Sequence, residues 1–164
     1  MNIFFVDADP VLAAQALCDK HVVKMTLESA QLLSTAQHIL ANDEREIPNG
    51  IYKPTHKNHP CAIWVRENSA NYGWLLEHAE ELAREYFRRY KRQHASSFII
   101  RSALYLRPFL ELTPSITPPA LCMPEQYKVD DPVESYRNYY RGEKARIAKW
   151  NYSEIPTWFN NTGE

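Results

Sequence analysis

The chain has 164 residues, 45% of them hydrophobic and 24% charged, the balance of one globular domain rather than a disordered tail. Its 19 Lys and Arg against 20 Asp and Glu leave a net charge of −1, so no global field announces a nucleic-acid or membrane partner. With 4 Gly and 3 Cys, a collagen-like chain and a disulfide scaffold are excluded, and neither GxGxxG nor GxxxxGK[ST] occurs.

Residues 2–6 (Asn2, Ile3, Phe4, Phe5, Val6) read as a short strand or a packed extended arm. The apolar run is too short for a signal peptide, and no stretch is long enough to span a membrane. Cys18, Cys61 and Cys122 are an odd set, which fits a reducing compartment. The expectation is a cytoplasmic protein without a membrane partner. Asp9-Pro10 then predicts a capped helix, with Pro at its first position, running to about Asp19. From His21 to Ala41 there is no Gly or Pro, and Val22, Val23, Leu27, Ala30, Leu33, Ala36 and Leu40 recur at helical spacing. Residues 42–58 form a polar loop. Pro60 opens a long helix to about Tyr90, capped by His59 or Asn58 and bent near Gly73.

A short helix is expected within 95–108. Five prolines between Pro108 and Pro124 make that stretch an irregular loop. Asp131-Pro132 repeats the cap signal and opens a helix to about Trp150. The tail, 151–164, packs through Tyr152, Trp158 and Phe159. The fold class is all-α: one compact helical bundle over 1–164, with long Pro-rich loops and an extended N-terminal arm.

The first long helix carries a second pattern. His21, Lys24, Glu28, Gln31, Thr35 and His38 lie at intervals of 3, 4, 3, 4 and 3, which puts all six on one face. A solvated face is the plain reading, yet solvated faces are dense in Lys, Glu and Arg, and this one mixes His, Gln and Thr with a single acid. A His, a Lys and a Glu within two turns also make an acid/base cluster. Cys18, His21, His56, His59 and Cys61 are metal-ligand types, but their spacing fits no zinc signature, and no metal or cofactor is assigned. His59 sits instead at the positive end of a helix, where it can meet a phosphate.

In the second long helix Trp64, Arg66, Asn68, Asn71, Tyr72 and Trp74 form a polar-aromatic patch. Asn68 and Asn71 are poor helix formers there, so buried partners or ligand contacts select them. Two basic regions stand out. Arg84, Arg88, Arg89, Lys91 and Arg92 surround Tyr86, Phe87 and Tyr90, and Arg137, Arg141, Lys144, Arg146 and Lys149 accompany Tyr136, Tyr139, Tyr140 and Trp150. Basic residues interleaved with aromatics suit a phosphate backbone and stacked bases, and equally an amphipathic helix with its rings inward.

The run Leu17-Cys18-Asp19-Lys20-His21, followed by Glu28, resembles the catalytic helix of the pyrimidine-dimer DNA glycosylases of the phage endonuclease V type. His59 with the helix after it is similar to that family's second helix, and Tyr136-Arg137-Asn138-Tyr139-Tyr140 to its C-terminal aromatic segment. The chain also resembles a set of small phage-encoded proteins. The resemblance implies a base-excising enzyme acting on damaged or modified pyrimidines in double-stranded DNA, with or without lyase activity and without a cofactor. Its N-terminal α-amine, here Met1, attacks the sugar C1′ to form an imine. Glu28 assists, with His21 and Lys24 beside it. Such an amine is partly neutral at pH 7 and is then a nucleophile. Gln31, His59, Arg66, Asn71, Arg137, Tyr139, Tyr140, Arg141 and Lys144 are the expected substrate contacts. Asn2 is bulky enough to retain Met1, and the arm is longer than the family's. Lys24 or Lys20 as the imine-forming amine, and Glu28 or Asp7 activating water, therefore stay open. So do two other readings: a helical enzyme acting on a free nucleotide, and a non-catalytic phage protein that binds a host factor.

Overall fold

In a computed structural model that describes residues 1–105 and 108–160, seven α-helices account for the regular structure, with no strand among the described residues. The chain is all-α, as its periodicity predicts. Helix α1 (Pro10–Gln15) starts where expected, with the Asp9 side chain accepting from the Val11 and Leu12 amides. It ends earlier than Asp19, because the chain turns over Ala16–Cys18 and restarts as α2 (Asp19–Leu40).

The single helix expected from Pro60 to Tyr90 is two helices, α3 (Pro60–Val65) and α4 (Ser69–Tyr90). The break falls at 66–68 and not at Gly73, which lies inside α4. Asn68 is the cause: its side chain accepts from the Asn71 amide and caps a new helix, a local bond that competes with continuing the old one. Helix α5 spans Ser97–Tyr105. The last two residues before Pro108, and residues 161–164 of the expected tail, lie outside the described residues.

Helix α6 (Pro132–Tyr139) is shorter than the predicted run to Trp150, because the backbone widens into a π turn over Tyr140–Lys144. Gly142 sits inside it, and a Cβ there would lie 2.5 Å from the Tyr127 ring. A side chain at 142 would have to displace that ring. Helix α7 (Thr157–Asn160) closes the described chain.

Helix α2 packs on α3, α4 and α5, and α1 packs on α4. Leu17, Val22, Met25, Leu33, Tyr72, Leu75, Leu82, Tyr136 and Tyr140 fill the space between them, each almost wholly buried. A buried guanidinium ties three segments together. Arg89 on α4 donates to Glu85, to Asp19 at the start of α2 and to the carbonyls of Leu17 and Gln15. Asp19 in turn accepts from Asn151. Among the described residues no helix is long and apolar enough to cross a membrane.

The first six residues are the extended, packed arm that the sequence left as one of two options, and Ile3, Phe4, Phe5 and Val6 are core. Phe4 has φ 58°, a left-handed conformation that a bulky residue holds only when its surroundings impose it. Asn2 Oδ1 accepts from the Ile3 and Phe4 amides at 2.8 and 3.1 Å. This tight turn folds the start of the chain back over α2.

Candidate active site

The turn delivers the N-terminus to Glu28. The Asn2 amide donates to Glu28 Oε2 at 2.9 Å, and the Met1 α-amino nitrogen lies 3.8 Å from the same oxygen. Lys24 Nζ is 3.4 Å from Oε1, one turn back on α2. The bend at Phe4 is what brings the start of the chain back to Glu28.

His21 occupies the next turn of the same face. Its Nδ1 is 2.6 Å from the Tyr140 hydroxyl, which also accepts from the Cys18 amide at 3.1 Å. Burial pushes the Tyr140 phenol well above its usual range, so it keeps its proton. Where that proton is donated to Nδ1, the imidazole proton sits on Nε2. Burial, with Lys144, Lys24 and Lys20 adding to it, lowers His21 to about 4, and the ring is neutral at pH 7. Phe4 stacks on its other side, centroids 4.3 Å apart.

These groups border a cavity of about 400 Å³, whose wall includes Met1, His21, Lys24, Glu28, Tyr139 and Lys144. Lys20 lines it as well, so three lysines and an α-amine face a single carboxylate. A chain of net charge −1 thus holds a locally cationic site. Lys144 Nζ also stands 4.5 Å over the Tyr139 ring. A second concavity of about 560 Å³ shares Lys20 and Ile147 with the first and continues past Arg146 and Lys149. Chemically, the arrangement offers an amine nucleophile, a carboxylate beside it to take its proton, a neutral imidazole donor and a cationic rim for phosphates.

The rest of the polar stripe has a different task. Thr35 exchanges hydrogen bonds with the Thr55 backbone, and His38 meets the Tyr52 carbonyl at 3.1 Å. Both pin the 50–56 loop. His21, Glu28 and Thr35 are buried, so the stripe is not the solvated face that amphipathicity alone suggests. Gln31 is half-buried, one turn beyond Glu28.

Other expected contacts are occupied within the chain. Asn71 is fully buried; its amide donates to Trp64 and Thr117 and accepts from the Thr117 amide. Arg66 holds the Lys57 and Ala62 carbonyls. Arg137 binds the Val6 carbonyl and Asp7, and Arg141 binds the Trp158 carbonyl, Glu134 and Asn138. Tyr140 is core and meets His21. The first basic region is largely neutralised: Arg84 and Arg88 pair with Glu81 and Glu85, and Arg89 is buried. Of the second, Lys144, Arg146 and Lys149 remain at the cavities.

His59 caps α3, accepting from the Cys61 amide at 3.2 Å. Burial lowers its pKa, as do the nearby α-amine and His56, while Glu28 opposes them. Beside it, Cys61 Sγ and Cys122 Sγ are 3.4 Å apart. That contact, with burial adding to the first, raises Cys61 and lowers Cys122 to about 7. The sequence reading missed Asn2, Phe4 and Cys122. Only the oddity of a polar residue between Met1 and an apolar run marks the first, and nothing in the spacing marks the other two.

No curated protein and no solved structure matches the chain. A family model described as pyrimidine dimer DNA glycosylase matches residues 1–97. The matched segment carries Met1, His21, Lys24 and Glu28, the groups that the fold brings into one cavity. More than half of the sequence answers to that model, and the chain belongs to the pyrimidine dimer DNA glycosylase family.

Proposed function

We propose that the protein excises damaged pyrimidines from double-stranded DNA and then nicks the strand through an imine. The observation that supports this most directly is the Met1 α-amine 3.8 Å from Glu28 in a lysine-rimmed cavity. The neutral amine attacks C1′ of the lesion's sugar as the C1′–base bond breaks, the base leaving with the bond's electron pair and taking a proton from water, while the proton of the new C1′–N bond passes to Glu28. Glu28 returns that proton to the ring oxygen as the sugar opens, which gives the imine. Glu28, again a carboxylate, then takes the C2′ proton, and the 3′ phosphate leaves by β-elimination. Before it takes a proton the Glu28 carboxylate offsets positive charge at the sugar, and His21 donates toward the sugar ring oxygen as it opens. Lys20, Lys24 and Lys144, continued by Arg146 and Lys149, hold the phosphates of a duplex that must open to expose the base.

Borohydride trapping tests this on labelled duplexes, UV-irradiated and untreated. The expected result is a covalent adduct on the irradiated strand alone, mapping to the N-terminal peptide. Glu28→Gln removes adduct and strand nicking by a factor on the order of 10²–10⁴, while gel-shift affinity for the duplex stays within a few-fold. An adduct at Lys24 or Lys20 would move the nucleophile. Neither adduct nor base release on any irradiated or modified duplex would overturn the reading.

A further inference from the structure

His59, Cys61 and Cys122 bring three ligand atoms within 4.8 Å of one another. The donors come from separate places: the residue that caps α3, the first turn of α3, and the loop that precedes the short turn Glu125–Tyr127. The other metal-ligand types of the region are committed elsewhere. The His21 Nδ1 faces Tyr140, the His56 Nδ1 faces Thr55, and Cys18 is fully buried.

We infer that His59, Cys61 and Cys122 form a binding site for a thiophilic divalent cation of the zinc class. Two thiolates balance its charge, the imidazole is a third donor, and water completes four-coordination. The sulfurs stand 3.4 Å apart. Tetrahedral Zn–S bonds of about 2.3 Å set two sulfurs roughly 3.8 Å apart, so the pair opens by only a few tenths of an ångström. The His59 Nδ1 exchanges its long 3.2 Å contact with the Cys61 amide for the metal, and Nε2 carries the ring proton. Binding releases the two thiol protons to solvent.

The cation joins α3 to the segment that holds the arm. Asn2 Nδ2 donates to the Cys122 carbonyl at 2.9 Å, and Cys122 borders the cavity that holds Met1 and Glu28. Metal at this site therefore stiffens the seat of the N-terminus, with no part in bond breaking.

Cobalt(II) titration of the full-length, reduced, metal-stripped protein tests the site without DNA or activity, so its outcome is separate from that of the glycosylase reading. One equivalent should produce a sulfur-to-cobalt charge-transfer band and the intense visible bands of four-coordination. One equivalent of zinc should then bleach them, and zinc should raise the melting temperature. Cys122 is half-buried, so Cys122→Ser should keep the helical circular dichroism, halve the charge-transfer band and weaken cobalt binding by about 100-fold. His59→Ala should weaken it similarly while leaving the charge-transfer band. No thiolate band in the reduced wild type would overturn the site, as would binding unchanged in Cys122→Ser. A Cys61–Cys122 disulfide that mass spectrometry shows to persist under reductant would also overturn it.

Discussion

Asn2 uses both ends of its amide, with Oδ1 accepting from the Ile3 and Phe4 amides while Nδ2 donates to the Cys122 carbonyl. Its own backbone amide is the donor that reaches Glu28. One side chain thus fixes the turn that presents the α-amine. Asn2→Ala deletes three hydrogen bonds, at a cost of about 1–3 kcal/mol of stability. The larger effect should fall on chemistry, since a small misplacement of a nucleophile is expensive. The adduct-forming rate on irradiated duplex should drop about 10–100-fold, with duplex affinity unchanged. An Asn2→Ala protein that traps as fast as wild type would show that the turn is not what positions the amine. Glu28, His21 and Lys24 were legible together because a helix repeats locally, and their spacing alone puts them on one face. Their partners Met1, Tyr140 and Phe4 come from distant segments, which no spacing rule connects.

Capping signals predicted the starts of α1, α3 and α6 at Pro10, Pro60 and Pro132, because the cap and the proline are adjacent and act locally. Ends were harder to read. The Asn68 cap that splits α3 from α4 is held in addition by Thr113, Asn71 by Thr117, and the π turn after α6 seats Gly142 against Tyr127. The joint between α1, α2 and α4 rests on Arg89, whose side chain is 1% exposed. Arg89→Met leaves Asp19 and Glu85 without their buried partner, a loss of about 3–5 kcal/mol. The midpoint of thermal unfolding should fall on the order of 10 °C. Arg84→Met, on the exposed side of the same helix, should change it by about 1 °C or less. Equal shifts in the two variants would refute the clamp.

Charge and titration act over the molecule as a whole. Burial lowers His21 and His78 to about 4 from 6.5. The unfolded chain takes up these protons as pH drops below 6.5, whereas the folded chain resists until about 4. The stabilisation is complete above about pH 6.5 and is lost as pH falls toward 4, at a cost on the order of 3 kcal/mol per histidine. Urea unfolding at pH 7, 5.5 and 4.5 should show this decline, and His78→Asn should make it shallower. A stability flat across that range would contradict buried neutral rings. For DNA, truncating Lys144 and Arg146 to Ala should reduce the salt slope of duplex binding by about two units. Truncating Arg84 and Arg88, already paired with Glu81 and Glu85, should leave it unchanged.

The all-α class, the long α2, the helix starts and the His21–Lys24–Glu28 face were legible in the chain, since each depends on residues within a turn or two of one another. The family resemblance also rested on that local run. Contacts between segments settle which polar residues face a cavity and which are consumed inside the fold, as Asn71, Arg66 and Arg141 are. They also settle which cations reach the cavity rim, and that Cys122 meets Cys61 across 61 positions. The physical reason is that burial and pairing are properties of contacts between segments. The amine reaches Glu28 through an arm bent at Phe4, and the bond from Asn2 to Glu28, across 26 positions, leaves no periodic trace in the chain.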